Sequence, residues 1–549
     1  MKKLLLSSAL LMGLTAGAQT KEDTIQLLQR TAALYHLNFT AAEADSMIEG
    51  IRDLNRDLAN MHRLMPANDL PYPFAFNPAP VGYRIPSVQQ KINWQVPANV
   101  KLPANRNDLA FYSIPQLASL IKSKKISSVA LTRFFIERLR KHNDTLQCVI
   151  TFTEELAMQQ ARKADEEIAK GRYRGMLHGI PYGLKDLFAV KGYKTTWGTT
   201  PYKDQVLDTN AFVYEQLTKA GAVLCAKLSL GALAFNDLWF GGRTKNPWNT
   251  AQGSSGSSAG SASAVAAGLL PFAIGTETWG SIVSPSARCG TTGHRPSFGA
   301  ISRSGAMVLS WSLDKAGPIC RSAEDCAIVF DAIRGTDGKD PSAIQYAFNY
   351  QPNRDIKKMR IGYAENYFSR LPKDAHDWKV LETFKEMGVN PVPVTFPDSV
   401  LYPFDIMNFV LTAECAAAFD ELTRTNRDEM IERQDKGFWP NIFRTGRYVP
   451  AAEYINANRH RSSMIERMNA FMKDYDVLIV PTFAGNQLAI TNLTGHPVVC
   501  MPVGFTRSGN PYSITFLGNL YDDASVLSAA KAYQAKTEHH KKHPGKFVE

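Results

Sequence analysis

Hydrophobic positions along this chain repeat at two spacings. At 3.6 residues per turn, Val129, Leu131, Phe134, Phe135 and Leu139 line one face of Ser128–His142 and predict an amphipathic helix. The same spacing joins Met47, Ile51, Leu54, Leu58 and Met61 in a second helix over Phe39–Leu64, where Thr40 is a ready N-cap. Short apolar runs at Gly179–Leu184, Ala222–Leu228, Pro271–Ile274 and Val477–Val480 read as buried strands. From about residue 110 helices and strands alternate for more than 400 residues, which predicts an α/β protein with a mixed or mostly parallel central sheet. Residues 19–105 read as an extension, helical first and then a Pro- and Asn-rich strap over 65–105. The expected division is a leader over 1–18, this extension over 19–105, one large α/β domain over 106–540 and a basic tail over 541–549.

The leader differs from the rest. Lys2 and Lys3 precede an apolar run, Leu4–Leu14, and Ala16-Gly17-Ala18 offers small residues for cleavage. That is the form of a secretory signal peptide, and the run is too short for a membrane-spanning helix. No later segment reads as a membrane span. The expectation is a periplasmic or secreted protein that begins at Gln19.

Composition narrows the class further. The chain has 549 residues, 44% hydrophobic and 21% charged, close to the globular average, so disorder and coiled coil are excluded. The formal charge of +11 is diluted, and no basic stripe interleaved with aromatics marks a nucleic-acid binder. Seven cysteines lack C-x-x-C or Cys/His zinc spacing, so they read as buried small hydrophobes, although Cys320 and Cys326 could pair in an oxidising compartment. His539–His543 reads as a solvated terminus, not a metal site, and no H-E-x-x-H occurs.

The chemistry concentrates in Gly253–Ser261, GSSGSSAGS, followed by an Ala/Val helix, the strand Pro271–Ile274 and a second Gly/Ser turn, Thr276–Ser281. A Gly/Ser run between buried elements is not a linker. Small residues there bring backbone N–H groups and hydroxyls close to a ligand. Phosphate binding lacks its lysine. Gly256-Ser257-Ser258-Ala259-Gly260 fits G-x-S-x-G, but the preceding Asn246–Thr250 does not read as the strand that a nucleophile elbow at Ser258 needs. Ser119–Lys122 and Ser312–Lys315 fit S-x-x-K without the companion motifs. The remaining arrangement is a serine activated by a lysine through a second serine.

Here a resemblance becomes specific. GIPYGLKD (179–186), KNPWN (245–249), SGSSAGSASAVAAG (255–268), GTETWGSIVSPS (275–286) and CGTTGHRPS (289–297) resemble, in order, the motifs of the amidase signature family. Val480-Pro481-Thr482 and Asn492–Pro497 resemble its closing segments, and the likeness spans about residues 110–535. The TETxGSIV form is nearer to the peptide amidases than to the fatty acid amide hydrolases. The resemblance implies a single large α/β domain and an amidase that works without cofactor or metal on a small-molecule or peptide amide. It implies Ser281 as nucleophile, Ser257 as bridging serine after a cis peptide bond, and Lys185 as base. Backbone N–H groups around Thr278, Trp279, Gly280 and Ser281 would form the oxyanion hole. Alternatives are an amidotransferase A-type protein that depends on a partner, or an esterase using the same site. Trp279, Glu277 and Val283 stand where the family has Gly, Asp and Arg, and Arg288 is the candidate to replace the missing Arg. Phe404–Arg461, including Phe438 and Trp439, is the candidate pocket lining.

A lysine base must be neutral, and an unperturbed lysine titrates near 10.4, so burial beside the apolar run Ile180–Leu184 has to lower it.

Overall fold

The computed structural model describes residues 20–61, 68, 74–398 and 403–548; the expected leader lies outside them. The chain divides into two compact units, Met1–Leu70 and Pro71–Glu549.

The first unit is a helix pair, Lys21–Ala33 and Ala41–Met61. Both helices begin with a capping box. Thr20 and Asp23 exchange bonds at the first, and Thr40 and Glu43 at the second, where Glu43 N donates to Thr40 Oγ1 (3.2 Å) and Thr40 N to Glu43 Oε2 (2.7 Å). Thr40 is the cap that the sequence indicates. The buried face differs from the predicted one, because Ala44 and Ile48 pack with Ile25 while Leu54 is 68% exposed. The contact is made by Ile25, Ala44 and Ile48, with Leu28 packed against them.

The strap over residues 74–105 belongs to the large unit, not to the helix pair. Tyr83, Ile85, Ile92 and Trp94 pack on that unit's core, and Trp94 Nε1 donates to Asp331 Oδ2 (2.9 Å). The other end of the chain is also docked. Phe547 is fully buried, the Arg138 guanidinium donates to its carbonyl (2.5 Å), and the His543 ring stacks on Phe111 at 3.9 Å. This corrects the reading of a solvated terminus.

The sheet of the large unit has eleven strands among the described residues. They are β1 (Val149–Phe152), β2 (Pro181–Lys185), β3 (Val223–Leu228), β4 (Phe272–Glu277), β5 (Thr292–Arg295), β6 (Lys315–Cys320), β7 (Ile361–Ala364), β8 (Val392–Val394), β9 (Val477–Pro481), β10 (Val498–Phe505) and β11 (Pro511–Gly518). Their order is β1-β3-β2-β4-β6-β5-β10-β11-β9-β7-β8. β2 runs parallel to β3 and β4, β9 parallel to β7 and β7 to β8; the other pairs are antiparallel. The mixed α/β class is as expected, with more antiparallel pairing. All four expected strands form, and β2, β3 and β9 are buried along their whole length. Continuous apolar runs are what a strand covered on both faces requires.

The seven cysteines are buried free thiols. Cys320 and Cys326 are not joined, and Cys326 Sγ instead donates to Thr292 O (3.4 Å). No described helix is long and apolar enough to cross a membrane.

Candidate active site

Parallel strands β2 and β4 lie side by side, with β4 running two residues beyond the end of β2, so the residues at their carboxyl ends lie near one another. Lys185 is the last residue of β2. β4 ends at Glu277 and passes through Thr278–Ile282 into the helix Val283–Cys289. Against this turn lies the Gly/Ser loop, which continues into the helix Ala259–Ala266.

The Gly/Ser loop is fastened along its length. Ser254 N donates to Thr244 O (2.9 Å), Ser255 N to Asp237 Oδ2 (3.1 Å), and Ser258 N to the Ser281 carbonyl (3.1 Å). Gly256 is required by contact, since a Cβ there would come within 1.8 Å of Asn236 O. The Gly256–Ser257 peptide bond is cis, as the resemblance implies. Asn249–Gly253 does form a strand ahead of the loop, contrary to expectation, but it pairs with Lys245–Asn246 in a separate two-stranded hairpin. Trp248 of the same segment donates from Nε1 to Cys289 O (2.8 Å), tying down the end of the helix that follows Ser281.

These anchors place Ser257 against Lys185. Lys185 Nζ donates to Ser257 Oγ and to Thr276 Oγ1, both at 2.8 Å, and lies 3.2 Å from Ser258 Oγ. The Lys185 side chain is 0% exposed. Burial lowers its pKa from near 10.5 to about 7, against a smaller upward pull from Asp314 and Glu277. The neutral amine therefore exists in quantity at neutral pH.

Ser258 is fully buried and committed to structure. Its Oγ accepts from Thr276 N (3.1 Å) and donates to Thr276 O (3.0 Å), stitching the loop to β4. Ser281 is 9% exposed at the turn after β4, where Gly280 adopts φ +92°, a conformation that favours glycine. Among the described residues no protein group accepts from the N–H of Trp279, Gly280 or Ser281.

Glu277 organises the turn from behind. Its Oε2 accepts from Ile282 N and Val283 N, both at 2.9 Å, at the start of the helix, and its Oε1 accepts from Arg295 Nη1 (2.8 Å) and Asn492 Nδ2 (2.9 Å). Burial alone would raise this carboxyl, but the fully buried Arg295 beside it holds it down at about 2. Arg295 Nη2 also donates to His496 O (2.8 Å), so the closing segment Asn492–Pro497 supports the same pair. Arg288, the expected substitute for the missing family arginine, lies elsewhere. It reaches Gln252 Oε1 at 3.3 Å on the surface. The charge partner is Arg295, on a strand 18 residues beyond Glu277.

Amide chemistry fits this arrangement, and sequence comparison shows the family. The amidase family model matches residues 130–490, about two thirds of the chain. The chain belongs to the amidase family.

Relatives of this amidase include the A subunit of glutamyl-tRNA(Gln) amidotransferase from Psychrobacter sp. (strain PRwf-1), 32% identical over 79% of this chain and 98% of that protein. Among solved structures, native peptide amidase from Stenotrophomonas maltophilia superposes with a TM-score of 0.70 at 26% identity, covering 79% of this chain and 98% of that one. A chain from a vestigial complex described as revealing the origins of an s-triazine catabolic enzyme gives a TM-score of 0.70 at 25% identity, with 77% and 98% covered.

One further sequence reading changes in the amidase. Phe438 and Trp439 are core residues, 0% and 3% exposed. Trp439 Nε1 donates to Ala232 O and Leu233 O, both at 3.0 Å, and its ring stacks on Phe443. Within Phe404–Arg461, Phe404 meets the turn that holds Ser281, its ring centroid 5.5 Å from that of Trp279. The S-x-x-K match at Ser312–Lys315 has no relay. Ser312 Oγ donates to Glu414 Oε1 (2.7 Å) and accepts from Arg461 (2.9 Å), while Lys315 bonds the Leu313 carbonyl. Among the described residues no three His, Cys, Asp or Glu side chains gather into a group that could hold a metal ion.

Proposed function

We propose that this amidase-family enzyme is an amide hydrolase that works through an acyl-enzyme on Ser281, with Ser257 and Lys185 as its proton relay. The observation that carries the reading is the 2.8 Å contact between a fully buried Lys185 Nζ and Ser257 Oγ, with the lysine titrating at about 7.

In this reading neutral Lys185 takes the Ser257 proton while Ser257 takes that of Ser281. Ser281 Oγ then attacks the carbonyl carbon, and the oxygen that gains charge meets the N–H groups of Trp279, Gly280 and Ser281, which have no protein acceptor among the described residues. As the C–N bond breaks, the proton held on Lys185 returns through Ser257 to the departing nitrogen, leaving an ester on Ser281. Water attacks that ester as the relay takes one of its protons, that proton passes back through Ser257 to Ser281 Oγ as the ester bond breaks, and a carboxylic acid carrying the other proton leaves. Each turnover consumes one amide and one water and restores all three side chains.

A fluorophosphonate probe tests the nucleophile. It should label Ser281, and Ser281→Ala should abolish labelling while Ser258→Ala keeps it; labelling at Ser258 would refute the assignment. The likeness to the amidotransferase relative supports a second reading, in which the ammonia released passes to a partner's substrate. Turnover of simple amides by the purified chain alone, without ATP, supports the hydrolase. Matched amide and ester substrates separate it from an esterase. Export is part of the proposal and rests on residues 2–18; sequencing the mature N-terminus, expected to be Gln19, tests it.

A further inference from the structure

Beside Ser281 the turn carries a large apolar side chain where the resemblance expects glycine. The Trp279 ring is half-buried and tilted 58° to the ring of Phe404, at 5.5 Å between centroids. Phe404 opens the helix Pro403–Ala418, whose Ile406, Met407 and Val410 are buried, yet Phe404 itself remains 44% exposed. A third apolar group lies beside the turn. The Leu488 side chain lies over Gly280, its Cδ2 only 3.2 Å from where a Cβ on that glycine would stand. Leu488 and Trp279 are both half-buried and pack against one apolar cluster that includes Val283 and Met407. Two ionisable groups of the site, Lys185 and Glu277, are fully buried in hydrogen-bond networks behind the turn.

Three half-exposed apolar side chains around Gly280–Ser281 hold surface that water covers poorly and that a flat hydrocarbon group would cover well. We propose that Trp279, Phe404 and Leu488 form a specificity wall that receives an uncharged aromatic or alkyl group next to the scissile amide. The enzyme then selects aryl- or alkyl-substituted amides over short ones. This inference rests on the assignment of Ser281 as nucleophile. The same wall could take the group from the acyl side or from the amine side of the bond, and the substrates chosen must separate these.

The experiment measures kcat/KM ratios in two series. Hydrocinnamamide against propionamide reports the acyl side, and N-benzylacetamide against N-methylacetamide reports the amine side. The wild type should favour the ring-bearing member in at least one series. Trp279→Ala and Phe404→Ala should each lower that ratio about tenfold, the scale of an aromatic contact plus part of its buried area, chiefly through KM. Trp279→Phe should keep most of it. Ratios are unaffected by a general loss of activity, and Phe404 is exposed enough that its truncation tests the idea if Trp279→Ala does not fold. A ratio that stays at the wild-type value in both truncations, or rises because the rings had blocked the site, overturns the wall while Ser281 labelling persists. A wild type that is neither labelled at Ser281 nor active on any amide overturns the nucleophile assignment, and the wall with it.

Discussion

The state of Lys185 at neutral pH decides whether the relay can work, and it can be measured. An ordinary lysine at pH 7 is neutral in roughly one molecule in 3,000. With its pKa lowered by burial to about 7, Lys185 is neutral in about half, so its environment supplies roughly three orders of magnitude of usable base. kcat/KM for a primary amide, followed by ammonia release between pH 5 and 9, should therefore level off above about pH 7 and fall about tenfold per unit below it. Lys185→Met should lose that acid limb together with about 10²- to 10⁴-fold of the rate for each proton transfer removed. The same substitution should stabilise the fold. Between about pH 7 and 10.5 the unfolded chain holds a proton on this lysine that the folded chain releases, so stability falls as pH falls through that window and levels off below it. Carried across the window, the effect is on the order of 4 kcal/mol, less what the bonds to Ser257 and Thr276 contribute. Thermal unfolding at pH 6.5 would show Lys185→Met melting above the wild type. A flat pH–rate profile, or a Lys185→Met enzyme with near-full activity, would refute the reasoning.

Three other perturbations probe the frame around the relay. Arg295→Met leaves the Glu277 carboxylate buried without its charge partner and should cost about 3–5 kcal/mol by denaturant unfolding, part of which Glu277→Gln in the same chain should recover. Gly256→Ala drives a Cβ into Asn236 O and should displace Ser257 from Lys185, read as loss of amide turnover and of the acid limb near pH 7. Asp314→Asn removes one of the charges that favour protonated Lys185, so the acid limb should move to lower pH; a shift the other way would exclude that influence.

What the sequence makes legible here is local. The strands containing Ile180–Leu184 and Val477–Val480 are uninterrupted apolar runs, and no pairing partner is needed to recognise them. The Gly/Ser loop and the turn at Ser281 are legible because close backbone approach admits few residue types, as the contact at Gly256 demonstrates. The misses all depend on which segments meet. Arg295 pairs with Glu277 because β6 separates β4 from β5 in the sheet while the arginine reaches back toward the turn, and neighbouring Arg288 offered the same charge closer in sequence. Phe438 and Trp439 read as pocket lining because large aromatics serve cores and pockets alike; only the packing on Phe235 and Phe443 decides between them. A run of His and Lys at the C-terminus hides Phe547, an apolar residue whose burial helps fix its place.

The turn after β4 separates the groups that fix its backbone from the side chain that the proposed specificity wall uses. Its backbone is set from behind, by a carboxylate that caps the helix Val283–Cys289 and is itself held by Arg295 and Asn492. Its outward side chain, Trp279, makes none of those bonds and packs instead against Phe404. On the proposed mechanism, a change at Trp279 should alter which substrates fit and leave the proposed oxyanion donors in place, because those donors are backbone groups. A change at Glu277 or Arg295 does the reverse, disturbing the donor geometry for every substrate alike. Such a division predicts different kinetic signatures. Truncation at Trp279 should separate substrates by KM, whereas loosening the Glu277–Arg295 pair should lower kcat for long and short amides by the same factor.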